Sequence, residues 1–114
     1  MPLVRIVVVM DEPRSSTGRA LPTAVARSAR DIGADFAGWR RILGLTAEQV
    51  ADRADITRDT LRKLEHGDPS VGFHIVLRVA RALGILDTLT EALDPLRTDL
   101  GRARADMLLR KRIR

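Results

Sequence analysis

From Thr23 onward, the apolar residues of this chain recur every three or four positions, and a glycine or proline ends each run. This spacing is typical of amphipathic helices, and the short distances between the interruptions allow only short ones. The 114 residues include no cysteine and only three aromatic side chains, so one largely aliphatic core must hold the helices together without disulfides. The pattern therefore predicts a single small all-α domain.

Five helices are predicted within residues 23–95. Each has apolar residues that we expect to face the core. In chain order these are Ile32, Phe36, Trp39 and Leu43; Val50, Ala51 and Ala54; Leu61 and Leu64; Val76, Val79, Ala80 and Leu83; and Leu86, Leu89 and Leu93. The helices are expected to end near Gly44, Asp55, Gly67, Gly84 and Pro95.

Residues 1–22 and 96–114 flank this domain. Leu3–Met10 is rich in β-branched residues and predicts a single strand, followed by a turn-rich linker. A lone strand has unpaired backbone groups, so we expect either an extension without a fixed fold or pairing across a dimer. Beyond Pro95, apolar residues at helical spacing predict a C-terminal helix or a partly ordered basic helical arm. These residues are Leu96, Leu100, Ala103 and Met107.

The predicted third helix, Thr57 to His66, has two opposite faces. Leu61 and Leu64 lie on one side of a helical wheel, and charged residues lie on the other. A charged helix face is usually only a solvated face. Here, however, a second short helix precedes it across a tight turn, opened by a capping-box signature of Thr46 and Gln49. A helix held in this way could enter a DNA major groove, which is about 12 Å wide.

Four segments of this region resemble the XRE or Cro/repressor type of helix-turn-helix domain. They are RRILGL (Arg40–Leu45), TAEQVADRA (Thr46–Ala54), LRKLEHGDP (Leu61–Pro69) and LRVARALGI (Leu77–Ile85). The resemblance covers residues 29–94 and implies a five-helix, lambda-repressor-like fold that binds operator DNA. One position departs from the family, because Asp55 stands where the turn usually has glycine. Aspartate tolerates left-handed dihedral angles less well than glycine but better than most residues.

The resemblance also implies roles for individual side chains. The base-reading residues would be Arg58, Asp59, Arg62 and Lys63. The residues that hold phosphates or neighbouring side chains would be Thr46, Gln49, Thr57 and Thr60, and Arg40 and Glu65 would form a structural ion pair. Arginine matches the paired acceptors of guanine, and aspartate can accept a hydrogen bond from cytosine N4. Asp59 would nevertheless cost DNA affinity unless it pairs with a base amino group or a neighbouring arginine.

The net charge of +5 is concentrated at the C-terminus. Residues 97–114 contain seven basic and two acidic side chains, whereas the remaining 96 residues contain 13 of each. The overall charge is therefore no argument that the middle of the chain binds DNA. This near-neutral body leaves open an alternative, in which the helical face binds a partner protein.

The segment DPLRTDLGRARADMLLRKRIR (Asp94–Arg114) is similar to the C-terminal ends of HipB-like antitoxins, the helix-turn-helix partners of HipA-type kinase toxins. Those relatives commonly end in Leu-Pro-x-Arg-Val-Arg, and the proline is absent here. The resemblance implies a homodimer that represses its own promoter and neutralises a HipA-like toxin. The residues expected to contact the toxin are Leu108, Leu109, Arg110, Arg112, Ile113 and Arg114. The alternatives are a stand-alone regulator and a tail that binds DNA phosphates without specificity.

No catalytic site is expected. His66 and His74, the only histidines, are predicted to cap helices or lie at the surface, and Trp39 to belong to the core. The sequence shows neither metal-ligand spacing nor a phosphate-binding glycine loop, so we expect no enzyme activity, metal or cofactor. The longest apolar run is too short to span a membrane, and nothing resembles an export signal, so a cytoplasmic location is expected.

Overall fold

The computed structural model describes residues 20–113, in which every regular element is helical. The all-α prediction is confirmed for this range, whereas the predicted strand Leu3–Met10 lies outside it. The helices are α1 (Thr23–Ile42), α2 (Ala47–Ala54), α3 (Arg58–Glu65), α4 (Phe73–Ala82), α5 (Leu86–Ala92), α6 (Asp99–Ala103) and α7 (Ala105–Ile113), with a 3-10 turn at Pro95–Arg97. No helix of this range is long and apolar enough to cross a bilayer.

The chain divides into two compact units. The first contains α1 to α4 and ends at Leu83, and the second begins at Gly84 and contains α5 to α7. The predicted boundary lay further along the chain, after Pro95. Since α5 falls in the second unit, the five-helix, lambda-repressor-like arrangement stays a prediction.

The starts of α2 and α3 are set by local hydrogen bonds. Thr46 Oγ1 accepts from the Gln49 N–H at 3.0 Å, and Gln49 Oε1 accepts from the Thr46 N–H at 2.8 Å. This is the predicted capping box, which satisfies two backbone donors that a helix start leaves unpaired. Thr57 Oγ1 accepts from the Thr60 N–H at 3.0 Å and caps α3. The chain therefore begins both helices where the sequence predicts.

The turn between α2 and α3 depends on Asp55. This residue adopts the left-handed conformation, with φ 58° and ψ 50°. Its N–H donates a hydrogen bond to the Asp52 carbonyl oxygen at 3.1 Å, and the Ile56 N–H donates one to the Ala51 carbonyl oxygen at 3.0 Å. These bonds end α2 and turn the chain into α3. Aspartate thus takes the backbone conformation expected of the usual glycine.

The core of the first unit is aliphatic apart from one phenylalanine. Its residues are Phe36, Ala37, Val50, Ala51, Ala54, Leu61, Leu64, Val79, Ala80 and Leu83. They come from all four helices, with α1 packed on α3 and α2 packed on both α3 and α4. The predicted inward faces of α2 and α3 are confirmed. In α4, Val76 is only half-buried.

The predicted core stripe of α1 is wrong except for Phe36. Ile32, Trp39 and Leu43 are between 41% and 51% exposed, so Trp39 is not a core residue. The buried face of α1 instead contains Gly33, Phe36 and Ala37. The reason at Gly33 is steric, because α1 comes so close to the end of α3 there that no side chain fits.

Two glycines make this close approach possible. A Cβ atom on Gly33 would lie 2.8 Å from both the Glu65 carbonyl oxygen and the Gly67 nitrogen. A Cβ atom on Gly67 would lie 2.8 Å from the Ala29 carbonyl oxygen and the Arg30 nitrogen. Gly67 also has a positive φ of 79°, which favours glycine after a helix end. The two positions bring the backbone of α1 against the C-terminal end of α3.

The second unit is built around the chain reversal that precedes α6. Asp94 accepts from the Leu96 N–H at 2.9 Å, and Thr98 Oγ1 accepts from the Gly101 N–H at 2.9 Å to cap α6. The predicted C-terminal helix is present as α6 and α7. Leu86 and Leu89 are half-buried, but the prediction that Leu93 faces the core is wrong, since this residue follows the end of α5 and is 82% exposed.

Two alanine substitutions in α1 test the close approach. Gly33→Ala should lower the free energy of unfolding by about 1–3 kcal/mol, because the added methyl group must displace backbone atoms of α3 and the turn that follows it. Gly38→Ala should raise it by about 0.5–1 kcal/mol, since its Cβ position is open and alanine favours a helix. Urea denaturation followed by circular dichroism measures both values. Equal effects at the two positions would contradict a tight contact at Gly33.

Candidate nucleic-acid interface

Three residues, Asp55 to Thr57, connect α2 to α3. The inner sides of the two helices are anchored, since Val50 and Leu61 are almost completely buried. Rotation of either helix would expose these side chains, which costs roughly 1.5–3 kcal/mol for each. The outer side of α3 is therefore presented in a defined orientation.

The four predicted base-reading side chains all lie on this outer, exposed side of α3. They are Arg58, Asp59, Arg62 and Lys63. Leu61 and Leu64 point into the core, as the helical wheel predicts. The structure therefore brings the four residues together on one surface of an eight-residue helix.

Asp59 pairs with two of the three cations on this surface. Arg62 Nη2 lies 2.6 Å from Asp59 Oδ1, and Lys63 Nζ lies 3.6 Å from Asp59 Oδ2. The hydrogen bond and charge of Arg62, with a smaller contribution from Lys63, hold the pKa of Asp59 below its usual value. The carboxylate is therefore ionised near neutral pH. A negative charge on a DNA-binding surface is tolerable when it pairs with a base amino group or with a neighbouring arginine. Asp59 meets the second of these conditions.

Arg58 differs from its neighbours. Among the four side chains it alone makes no hydrogen bond or ion pair with any residue in the range 20–113. It is the first residue of α3 and is exposed. All five guanidinium N–H donors are thus available for an external acceptor.

The predicted structural pair, Arg40 and Glu65, is present as a bidentate ion pair. Arg40 Nε donates to Glu65 Oε2 at 2.8 Å, and Arg40 Nη2 donates to Glu65 Oε1 at 3.0 Å. The side chains are only 16% and 12% exposed, so water weakens the pair little. The hydrogen bond to Glu65 raises the pKa of Arg40. A third bond, from Nη1 to the Leu45 carbonyl at 3.3 Å, ties α1 and α3 to the loop that leads into α2.

This pair borders an open depression of about 450 Å³ between the start of α2 and the outer side of α3. Its lining residues are Arg40, Ala47, Arg58, Asp59, Leu61, Arg62 and Glu65. Three of them are arginines, and one of these, Arg58, has no partner in the described chain. Since Glu65 and Asp59 pair with the other two, the depression has a net charge of +1, which belongs to Arg58.

The predicted phosphate-contacting residues are already engaged with one another in pairs. Thr46 and Gln49 use their side-chain oxygens in the capping box. The Thr57 hydroxyl donates to Thr60 Oγ1 at 2.9 Å and accepts from the Thr60 N–H. The donors left over are the Thr46 hydroxyl, the Gln49 amide nitrogen and the Thr60 hydroxyl.

Arg78 is a positioning residue that the sequence does not reveal. Its Nη1 atom lies 3.4 Å from the Ala54 carbonyl oxygen and 3.9 Å from Asp55 Oδ2, so α4 supports the end of α2. Its Nε donates to His74 Nδ1 at 3.2 Å. Arg78 lies 24 residues from Ala54, and no local pattern links the two positions. His66 and His74 are both exposed.

The predicted toxin-contacting residues all lie in or after α7. Leu108 and Leu109 are exposed, and Arg110 Nη2 lies 3.3 Å from Asp106 Oδ2. Arg112 and Ile113 belong to the last turn of α7, and Arg114 lies outside the described residues. Across residues 20–113, no group of His, Asp or Glu side chains is arranged to hold a metal ion.

Comparison with known proteins identifies the type of domain. The profile of a family described as a helix-turn-helix domain matches residues 25–93, well over half of the chain. A curated relative from Methanothermobacter thermautotrophicus, named an uncharacterized HTH-type transcriptional regulator, is 47% identical over 45 residues. That match covers 40% of this chain and 65% of the relative, so the chain spans just under two thirds of the relative's length. No solved structure matches. Neither match bears on the antitoxin prediction.

Two arginine variants test whether the Arg40–Glu65 pair holds α3 in place. Arg40→Ala should lower the free energy of unfolding by roughly 1–3 kcal/mol, because a mostly buried carboxylate loses both of its hydrogen bonds. Arg110→Ala removes an exposed pair with Asp106 and should change it by less than about 0.5 kcal/mol. Chemical denaturation of both variants gives the comparison. If the two losses were the same, the pair would not be what fixes α3 to α1.

Proposed function

The chain belongs to the helix-turn-helix domain family, and we propose that it is a sequence-specific DNA-binding transcriptional regulator that reads bases with α3. The observation that carries the proposal is an arginine, Arg58, that has no partner within the described range 20–113 and begins a helix anchored by buried leucines. The archaeal relative, named a transcriptional regulator, supports a regulatory role.

The dimensions of α3 suit a major groove. An α-helix with its side chains is about 10–12 Å across, and the groove is about 12 Å wide. The N-terminal residues of a recognition helix contact base edges, and Arg58 is the first residue of α3. Its planar fork can bond both O6 and N7 of guanine. Arg58 is therefore the principal base-reading side chain in the proposal.

Phosphate contacts set the orientation of the domain on the duplex. The Thr46 hydroxyl and the Gln49 amide nitrogen lie at the N-terminus of α2, where the helix dipole favours an anion. The Thr60 hydroxyl offers a further donor on α3. Such contacts position a protein on DNA but carry no sequence information.

The regulator is proposed to act as a homodimer on a palindromic operator in its own promoter. Two-fold symmetry in the protein is matched by two-fold symmetry in the operator. The half-sites would lie about 34 Å apart, one turn of the duplex, so that both copies of α3 face the same side.

Arg58→Ala is the direct test of base reading. The variant should lose roughly 1–3 kcal/mol of binding free energy at one operator position, because a bidentate guanine contact is lost. Arg27→Ala is the matched control, since Arg27 is an exposed arginine about 20 Å along α1 from Arg40. Fluorescence anisotropy with single-base operator variants measures the loss at each position.

The outcomes separate four possibilities. A loss confined to one base position supports base reading by Arg58, and a uniform loss across all sequences would assign it to phosphate. If Arg58→Ala and Arg27→Ala behaved alike, Arg58 would not belong to the interface. If the folded wild-type chain bound no duplex at low salt, the protein-interaction alternative would replace the proposal.

We further infer that the regulator is the antitoxin of a HipA-like toxin kinase, with α7 as the docking element. Leu108 and Leu109 are exposed beside Arg110. A segment that only bound phosphates would need no exposed leucines, whereas a segment that docks on a protein would bury them. The sequence similarity of Asp94–Arg114 to HipB-like tails supports the same role.

A double substitution in α7 tests the antitoxin role. The neighbouring reading frames are first searched for a HipA-like kinase gene. When that kinase is co-expressed, Leu108→Ser with Leu109→Ser should abolish rescue of growth, because burial of each leucine contributes about 1.5–3 kcal/mol. Leu93→Ser is the control, since Leu93 is an exposed leucine outside α7. Operator binding should be unchanged in both variants. Full rescue by the double variant, or the absence of a neighbouring kinase-like gene, would contradict the antitoxin role.

A further inference from the structure

Asp59 is an unusual residue for a helix that binds a polyanion. Its carboxylate is 59% exposed on the same side of α3 as Arg58, Arg62 and Lys63. It reduces the net charge of this group from +3 to +2. The body of the chain has no positive excess to compensate, because the excess is confined to residues 97–114.

The ion pairs of Asp59 compete with contacts to phosphate. Arg62 and Lys63 lie 2.6 and 3.6 Å from its carboxylate oxygens. Either cation must share or give up this partner before it can bind a phosphate. The carboxylate itself is repelled by every phosphate near α3. The pairs with Arg62 and Lys63 reduce this cost but do not remove it, so Asp59 weakens binding to a duplex that offers it no hydrogen-bond donor.

A duplex of the right sequence can offset this cost. A carboxylate can accept a hydrogen bond from the N4 amino group of cytosine in the major groove. Asp59 directly follows Arg58, which has no intrachain partner within residues 20–113. A duplex that offers an amino donor to Asp59 and a guanine to Arg58 gives both side chains a hydrogen-bond partner, which offsets the repulsion between the carboxylate and the phosphates. On other duplexes nothing offsets this repulsion.

We propose that Asp59 is a specificity-determining residue, which lowers the affinity for non-cognate DNA more than the affinity for the operator. It does so by holding Arg62 and Lys63 in pairs within α3 and by requiring an amino donor in the groove. Specificity is a difference between two affinities, so a group that penalises the wrong sequences increases it. The inference rests on the proposed function, because it needs α3 to lie in the major groove.

The chain contains a matched control for this carboxylate. Asp99 in α6 pairs with Arg102 at 2.6 Å, the same distance and the same three-residue spacing as Asp59 and Arg62. Both aspartates are exposed and lie in the first turn of their helices. Asp59→Asn and Asp99→Asn change the net charge by the same amount, but only the first acts on α3.

The experiment compares the wild-type chain with both variants on two duplexes. One is selected by the wild-type chain from a random-sequence library, and the other is its shuffled sequence. Affinities are measured over a series of KCl concentrations. Asp59→Asn should bind the shuffled duplex more tightly, with a salt dependence steeper by about one unit in log–log slope. It should lose about five- to a hundredfold in the ratio of the two affinities.

Asp99→Asn should leave that ratio unchanged. Asp59→Ala should behave as Asp59→Asn does, which guards against an effect peculiar to asparagine, and thermal unfolding of each variant verifies that it is folded. An unchanged ratio in the Asp59 variants, or an equal fall in Asp99→Asn, would overturn the inference and leave base reading by α3 intact. If the wild-type chain itself did not distinguish the two duplexes, the proposed function would fail together with the inference.

Discussion

The contact between α1 and the C-terminal end of α3 is the constraint on which the rest of the DNA-binding surface depends. An eight-residue helix is too short to be stable alone in water, so tertiary contacts must supply its stability. Gly33 and Gly67 let the two backbones approach, and the Arg40–Glu65 ion pair fixes the register between them. Leu61 and Leu64 anchor the inner side of α3 in the core, and this fixes the direction in which the charged outer side of α3 faces.

The surface that results is modest in charge and specific in geometry. Residues 1–96 have no net charge and the positive excess lies in residues 97–114, so general electrostatic attraction of DNA to the helix-turn-helix is weak. In the proposed mode of binding, DNA recognition depends on the placement of a few donors. These are Arg58, which has no partner among residues 20–113, and hydroxyl and amide groups at the starts of α2 and α3. Under the inference about Asp59, this residue adds a cost that only some sequences offset, and the surface gives up affinity for DNA in general and gains discrimination.

Predictions from local pattern succeeded where the physical cause is local. The capping box of Thr46 and Gln49 and the cap at Thr57 both depend on residues within four positions of one another. The buried face of α1 was predicted wrongly, because apolar size was taken as the guide to burial. The contact with α3 selects for small residues instead, which leaves Trp39 partly exposed and buries Gly33.

The order of the residues was enough to predict where α2 and α3 begin, near which residues α1 to α5 end, and that α3 has a charged side and a leucine side. Helical hydrogen bonds and the periodicity of 3.6 residues are properties of neighbouring residues, so they can be read from their order. How closely α1 approaches α3, and that Arg78 supports the end of α2, became evident from the folded chain alone. These two features depend on the rotation and separation of helices that lie far apart in the chain, which no local spacing encodes.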